Sequence, residues 1–554
     1  MNKNVSSFPI LFALLALLIG TCAVVFPASA QAAPTSTGSI TVSGTVASSY
    51  DAYQIFSADV SDGDNDAKIA TDLAWASDAA RDAVLPVVHS AGMPNSQTTA
   101  QEAAEWLNAD SHLTSALSAQ LARSLQSSGA VSVALNAGTE AKLPCGYWLI
   151  VADDDAIAQG EAGTAPIMAL VGGSAVTVKP KAATPKVQKH VLEDSTAAWG
   201  KAADATVADD LYWRLSATVP AGLTAYDTYT VQFVDTMSAG LDPSKVAASM
   251  RVYVAAGAEG GFDAVPTGKD GRAGTEPAKG WTDITAQCGV SVEGNAFTVR
   301  TGDLIVALGG ADAFTAGARV VAVYNAPLAS GCNHGIAKGN PNEVYLRYPR
   351  SPLSDQSGDA GFTRTPSDDA TAYTWDLALT KRGSDGDKPL AGAVLSIADD
   401  RGRTLAADGT WDAEGKATVT TGEDGRVTVS GVDSGKLEVR ELKAPKGYTA
   451  FEGTRSVTVK AEGLDVDQVA AAKPKLTITA ESPLRADSAD GSTGSLEASL
   501  INTPTGTPPS ITTGGFMPST GDMAMYAAAA AAVAGAALIV VALLVKRGGG
   551  SHKE

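Results

Sequence analysis

The feature that most constrains this chain is the position of a few polar residues inside apolar alternation. In the stretch Trp375 to Lys381, Trp375, Leu377 and Leu379 share one parity, and the next residue of that parity is Lys381. Successive side chains of a strand point to opposite faces, so this lysine is directed into the core that its strand covers. Leu437, Val439 and Glu441 repeat the pattern, and so do Leu496, Ala498, Leu500 and Asn502. An earlier stretch repeats it again with Val187 and Lys189, with Val231, Phe233 and Asp235, and with Asn342, Val344 and Leu346. An isolated inward charge is costly, so each trio of strands must bring its lysine, acid and amide together. Two outcomes are open. One is a buried ion pair hydrogen-bonded to an amide. In the other, burial lowers the lysine pKa and raises that of the acid. The neutral amine is then a nucleophile, and the acid can polarise the asparagine carbonyl and protonate departing ammonia. The product is a lysine–asparagine isopeptide bond made by the fold itself.

These strands belong to a chain of 554 residues, too long for one hydrophobic core. Many short strands with closely spaced turn signals make it mainly β, a series of sandwiches. The first block, 34–180, opens with a strand from Gly38 to Val46. It then has a helical stretch over 98–127, where Leu113, Leu117, Leu121 and Leu125 recur at every fourth position. Strand-like runs follow at Tyr147–Val151 and Pro166–Val171. Lys179 to Lys186 reads as a linker, and the second block runs over 186–350. The polar stretch Ser351 to Asp369 reads as another linker, before a third block over 372–503.

Each end of the chain carries its own signal. Lys3, the apolar run Phe8 to Phe26 and Pro27-Ala-Ser-Ala30 form a secretory signal over 1–30, cleaved after Ala30 with Ala32 and Ala33 as alternatives. At the other end a Pro/Thr/Gly linker over 504–516 precedes Met517-Pro-Ser-Thr-Gly521. An uncharged span over 523–545 comes next, then a tail over 546–554 that opens with Lys546 and Arg547. At a rise of ~1.5 Å per residue the span reaches roughly 35 Å, enough for a transmembrane helix, and the basic pair keeps the tail cytoplasmic.

Composition excludes some partners. Against 41 lysines and arginines stand 60 aspartates and glutamates, a net charge of −19 that would repel nucleic acid. The 5 histidines are scattered without metal-ligand spacing, so no metal is expected. Asp62-Gly-Asp-Asn-Asp66 has alternating carboxylates but lacks the glycine and the closing acid of a calcium loop, and reads as a solvated turn. No phosphate loop, nucleophile elbow or Cys/His pair with local context argues for an enzyme. Cys288 and Cys332 fall in one block of an exported chain, so a Cys288–Cys332 disulfide is expected, with Cys145 left as a buried thiol.

Several motifs carry a family resemblance. Glu441-Leu-Lys-Ala-Pro-Lys-Gly-Tyr448 resembles the E-box of sortase-assembled pilins and their Cna-B-type domains. Leu390-Ala-Gly-Ala-Val394 and Ile501-Asn-Thr503 match the same domain. Val234–Leu241 and Asn342–Tyr348 resemble the aspartate and asparagine strands of the pilin middle domain. Val176-Thr-Val-Lys-Pro-Lys181 resembles the end of the pilin motif, although Lys179 stands where the family has tyrosine and Gly172 where it has tryptophan. Met517–Gly521 is similar to the LPXTG sorting signal, with methionine for leucine.

The resemblance is to Gram-positive backbone pilins of the SpaH/EbpB type. It implies tandem immunoglobulin-like (Cna-B-type) β-sandwiches, the first with added helices, and a C-terminal transmembrane helix. It further implies bonds Lys189–Asn342 and Lys381–Asn502, with Asp235 and Glu441 as their catalysts, and no cofactor. A class C pilin sortase would join Thr520 of one subunit to Lys181 of the next and release Gly521, with Lys179 the competing lysine. A housekeeping sortase would then anchor the polymer to peptidoglycan at the cell wall. Such a fimbria mediates adhesion to a host ligand that the sequence does not name. The alternatives are a monomeric wall-anchored adhesin and, from another class, a secreted wall-anchored hydrolase.

Overall fold

Strand Gly146–Ala152 is apolar at almost every position because both of its faces are covered. It lies in a computed structural model that describes residues 36–506 apart from 45, 65, 66, 110, 181–183, 270, 315 and 465–473. The signal segment, Lys181, the sorting motif with Thr520 and Gly521, the apolar span and the basic tail lie outside the described residues.

In the first block this strand sits in a five-stranded sheet between Ser49–Asp62 and Ile167–Val171. One face packs on a three-stranded sheet built around Thr37–Val42, burying Ile40, Val42, Tyr50, Trp148 and Ile150. The other face carries Tyr53, Ile55, Leu149 and Val151 against three helices, Asp78–Ser90, Ala100–Asn108 and Ser115–Ser127. Leu117, Leu121 and Leu125 are buried, as their spacing requires. The helical stretch over 98–127 is broken in two, because Thr114 caps a new helix by accepting from the Leu117 amide, while Thr99 and Glu102 form a capping box on the helix before it. Helix Asp78–Ser90, with Pro86 inside it, was not legible in the sequence.

The second block is a sandwich of two larger sheets. Lys186–Glu193, Tyr212–Val219 and Ala318–Asn325 are consecutive neighbours in one of them. Asn340–Pro349, Gln232–Met237 and Ala296–Arg300 are consecutive neighbours in the other. Between them lie Trp213, Leu215, Phe233, Val344 and Leu346, all fully buried.

The stretch 351–369 is not a linker. Phe362–Arg364 and Asp368–Tyr373 pair with Asn340–Pro349, and Ala370 and Ala372 enter the second core. Its backbone also docks on the first block, where the Arg123 guanidinium donates to the Pro352 carbonyl at 2.9 Å and the Gly160 amide donates to the Thr363 hydroxyl at 3.2 Å. Polar composition misleads here because both contacts are made by backbone and hydroxyl groups.

The third block is again a sandwich. Its first and last strands, Trp375–Gly383 and Ser495–Pro504, pair in parallel in one sheet. Gly435–Lys443 lies in the other sheet. The second and third blocks meet at a polar junction. Asp204 accepts from the Trp375 indole at 2.6 Å and from the Ser434 amide at 2.9 Å, while Arg401 and Arg403 pair with Asp209.

Candidate functional site

In the third block, parity and register together build the site. Lys381 pairs with Leu500, and Asn502 is two residues further along the neighbouring strand, opposite Gly383, so both side chains emerge on the core face. Glu441 ends the apolar face of a strand in the opposite sheet and closes the cluster from across the sandwich. The Lys381 amine donates to Asn502 Oδ1 and lies 3.3 Å from Glu441 Oε1. The Asn502 amide nitrogen donates to the same Oε1 at 2.8 Å, and the Phe451 amide donates to Oε2 at 3.1 Å. The side chains of Lys381 and Glu441 are wholly inaccessible. Burial brings the lysine down to about 8 against the opposing pull of Glu441.

The second block assembles the same three groups differently. Lys189 comes from one sheet, and Asp235 and Asn342 come from the other. Asp235 pairs with Val344 and Met237 with Asn342, so the acid and the amide are diagonal neighbours on one face. All three residues are fully buried. The Lys189 amine donates to Asp235 Oδ2 and, at 3.0 Å, to the Tyr324 hydroxyl. That hydroxyl donates to Asp235 Oδ2 at 3.2 Å and accepts from the Asn342 amide nitrogen at 2.8 Å. Burial pushes Asp235 up to about 6 and brings Lys189 down to about 8. Asp235 Oδ1 and Asn342 Oδ1 are buried without a hydrogen-bond partner. A proton on Asp235 would turn its bare oxygen into a donor, the state in which the acid can polarise an amide carbonyl.

Three residues of this site were missed in the sequence. Tyr324 has the same parity as the buried Val320 and Ala322, so its hydroxyl ends an apolar face just as the lysines do. The buried Lys201 pairs with the partly exposed Asp368 beside the site, and Asp368 also accepts from the Lys189 amide at 2.6 Å. Asp368 lies in the stretch read as a linker, which hid it.

The Cys288–Cys332 disulfide is not present, and Cys145, Cys288 and Cys332 are free thiols. Cys288 precedes Gly289, which is level with Arg300 and Gln232 at one end of the sheet. Cys332 packs under Gly240, beyond Met237 at the other end. Five strand residues separate the two levels, about 16 Å, whereas a disulfide needs Cα atoms within about 7 Å. Asp62 accepts from Lys68 at 3.2 Å and from the Ser174 amide, so its carboxylate is engaged by the fold. Among the described residues, no group of three or more histidines, cysteines and acids is arranged to hold a metal, and no helix is long and apolar enough to cross a membrane.

Comparison with known proteins places the third block first. Residues 376–473 match the family model described as the SpaA prealbumin-like fold domain. The trypsin-resistant surface T6 protein of Streptococcus pyogenes serotype M6 is 30% identical over 129 residues, 22% of this chain and 22% of that protein. The chain thus matches about a fifth of the length of this curated relative. Among solved structures, the T6 backbone pilin of serotype M6 Streptococcus pyogenes aligns over 86% of this chain and 100% of its own, with 17% identity and a TM-score of 0.46. The major pilin SpaD of Corynebacterium diphtheriae aligns over 85% and 98%, with 14% identity and a TM-score of 0.42.

Proposed function

We propose that this chain is the structural shaft subunit of a covalently polymerised surface pilus. The observation that carries the reading is the recurrence, in two successive sandwiches, of a buried lysine, acid and asparagine joined in one hydrogen-bonded cluster, directly in the third block and through Tyr324 in the second. The prealbumin-like match over the third block and the 129-residue match to a surface protein support it. In this reading Lys189 is bonded to Asn342 with Asp235 as catalyst, and Lys381 to Asn502 with Glu441 as catalyst. Each bond releases one ammonia, and no substrate from outside the chain is turned over. The protein resists extension and proteolysis; it is not an enzyme acting on others.

Polymerisation belongs to the same reading. A class C sortase joins Thr520 to Lys181 of the next subunit with loss of Gly521, and a housekeeping sortase attaches the finished polymer to peptidoglycan. The test is an anti-subunit blot of cell-wall extract. A ladder of high-mass species is expected, abolished by Lys181→Ala and unaffected by Lys179→Ala. A single band in the parent strain would replace the shaft reading by that of a monomeric wall-anchored adhesin, which the departures at Lys179 and Gly172 favour.

A further inference from the structure

We propose that Tyr324 is a catalytic residue of the middle domain, relaying a proton from Asp235 to the departing nitrogen of Asn342. This rests on the reading of that domain as self-cross-linking, and goes beyond it by assigning a fourth participant that the third domain does not need.

The two clusters differ in how the acid reaches the leaving group. In the third domain a single oxygen, Glu441 Oε1, contacts both nitrogens, 3.3 Å from Lys381 Nζ and 2.8 Å from Asn502 Nδ2. It can take a proton from the attacking amine and give one to the departing ammonia without an intermediary. Asp235 is one methylene shorter. Its Oδ2 contacts Lys189 Nζ and the Tyr324 hydroxyl, and Asn342 Nδ2 donates to that same hydroxyl at 2.8 Å. The hydrogen-bonded path from Asp235 to the leaving nitrogen therefore runs through Tyr324. Aspartate plus tyrosine occupies the place of glutamate.

The step balances as follows. Neutral Lys189 Nζ attacks Asn342 Cγ, and the carbonyl electron pair moves onto Oδ1, which takes the proton carried by Asp235 Oδ1. Nζ gives one proton to Asp235 Oδ2. Nδ2, now tetrahedral, regains a lone pair directed at the Tyr324 hydroxyl. The hydroxyl proton passes to Nδ2, and Asp235 Oδ2 replaces it. The Cγ–Nδ2 bond breaks, ammonia leaves, and the carbonyl re-forms as Asn342 Oδ1 returns its proton to Asp235 Oδ1. Asp235 and Tyr324 end as they began. Burial and the neighbouring Asp235 hold the phenol well above its usual pKa, so it passes protons as a neutral hydroxyl and does not become a phenolate.

A purely structural tyrosine would make the same contacts, so the test must separate the two roles. In the full chain made by cell-free synthesis, ammonia loss is followed by intact mass, with peptide mapping to assign it to a domain. Tyr324→Phe keeps the ring against Phe297, whose centroid lies 4.7 Å away, and removes only the relay. The middle-domain bond is expected to form roughly a hundredfold more slowly, within the usual range for a lost general acid. The third-domain bond should form at the parent rate, as an internal control. Asp235→Glu combined with Tyr324→Phe restores direct reach, the added methylene taking the space of the lost hydroxyl, and should recover most of the rate. A parent rate in Tyr324→Phe would overturn the proposal, and so would slow formation that Asp235→Glu leaves unrescued, whether through a structural role or through misfolding. Absence of the middle-domain bond from the parent chain would instead defeat the cross-linking reading itself.

Discussion

Lys381 and Asn502 stand on the first and last strands of their domain, side by side in parallel register, with the lysine amine against the amide oxygen. Tension applied through the C-terminus enters at the strand of Asn502, and the neighbouring strand leads back toward the middle domain. A covalent bond at this point would carry the load past the whole third domain without unfolding any of its strands. It would also close a loop of 121 residues, worth about 5 kcal/mol in the chain-entropy model for cross-links.

The first prediction concerns mass. Residues 34–506 expressed alone should be lighter than their sequence by two molecules of ammonia, one per cluster. Glu441→Ala should restore one and Asp235→Ala the other, independently, because the clusters lie in separate cores. Loss of either bond should lower the melting temperature of that domain and open it to trypsin. A parent mass equal to that of the unmodified chain would remove both assignments.

The fate of the sequence reading divides along physical lines. Both clusters were legible because strand parity is rigid: one residue too many between Leu379 and Lys381, and the lysine would face water. Contacts made by backbone leave no such trace, which is why the docking of 351–369 was not visible; Tyr324 carries the parity, but a tyrosine at the end of an apolar face passes for an ordinary core residue. The disulfide failed for a third reason. Residence in one domain does not bring two cysteines to the same end of a strand, and sequence separation carries no information about that. Helix Asp78–Ser90 was hidden by Pro86, which usually argues against a helix.

A second prediction follows from the opposed shifts in the middle domain. Bond formation needs Lys189 neutral and Asp235 protonated at once, while burial places the lysine at about 8 and the acid at about 6. Between those values the dominant form carries the same number of protons in the opposite arrangement, so the reactive fraction does not change with pH. The rate should be flat from pH 6 to 8. Below this window Lys189 stays charged, and above it Asp235 loses its proton, so the rate should fall on both sides. A rate that climbs steadily through pH 9 would show that only the amine titrates.

The third prediction concerns the thiols. Unfolding without reductant should expose three reactive cysteines per mature chain, since none is bonded to another. In the native state Cys288 and Cys332 should label slowly, because burial pushes both thiols up to about 11 and leaves little thiolate at neutral pH. A titre of one thiol after unfolding would reinstate the disulfide and require the two ends of the sheet to meet.

The last prediction concerns the junction between the second and third domains. Glu193, Asp194, Asp204 and Asp433 crowd together there, with Asp194 and Asp433 sharing a hydrogen bond. Arg401 and Arg403 face Asp209 and Asp399 at the rim and offset only part of that charge. Burial, reinforced by the neighbouring Asp204, raises Glu193 to about 8, and burial raises Asp194 and Asp433 as well. These are carboxyls whose folded pKa exceeds the unfolded value, so the folded junction binds more protons than the unfolded chain between roughly pH 4 and 8. Stability must therefore fall as pH rises through that window, the reverse of the trend for salt-bridged acids. Differential scanning calorimetry of residues 34–506 should show a melting temperature that declines from pH 5 to 8. Asp433→Asn, which cannot ionise, should flatten the decline and raise stability at pH 8. A melting temperature that rises with pH, or a slope that Asp433→Asn leaves unchanged, would mean that the arginines at the rim neutralise the cluster after all.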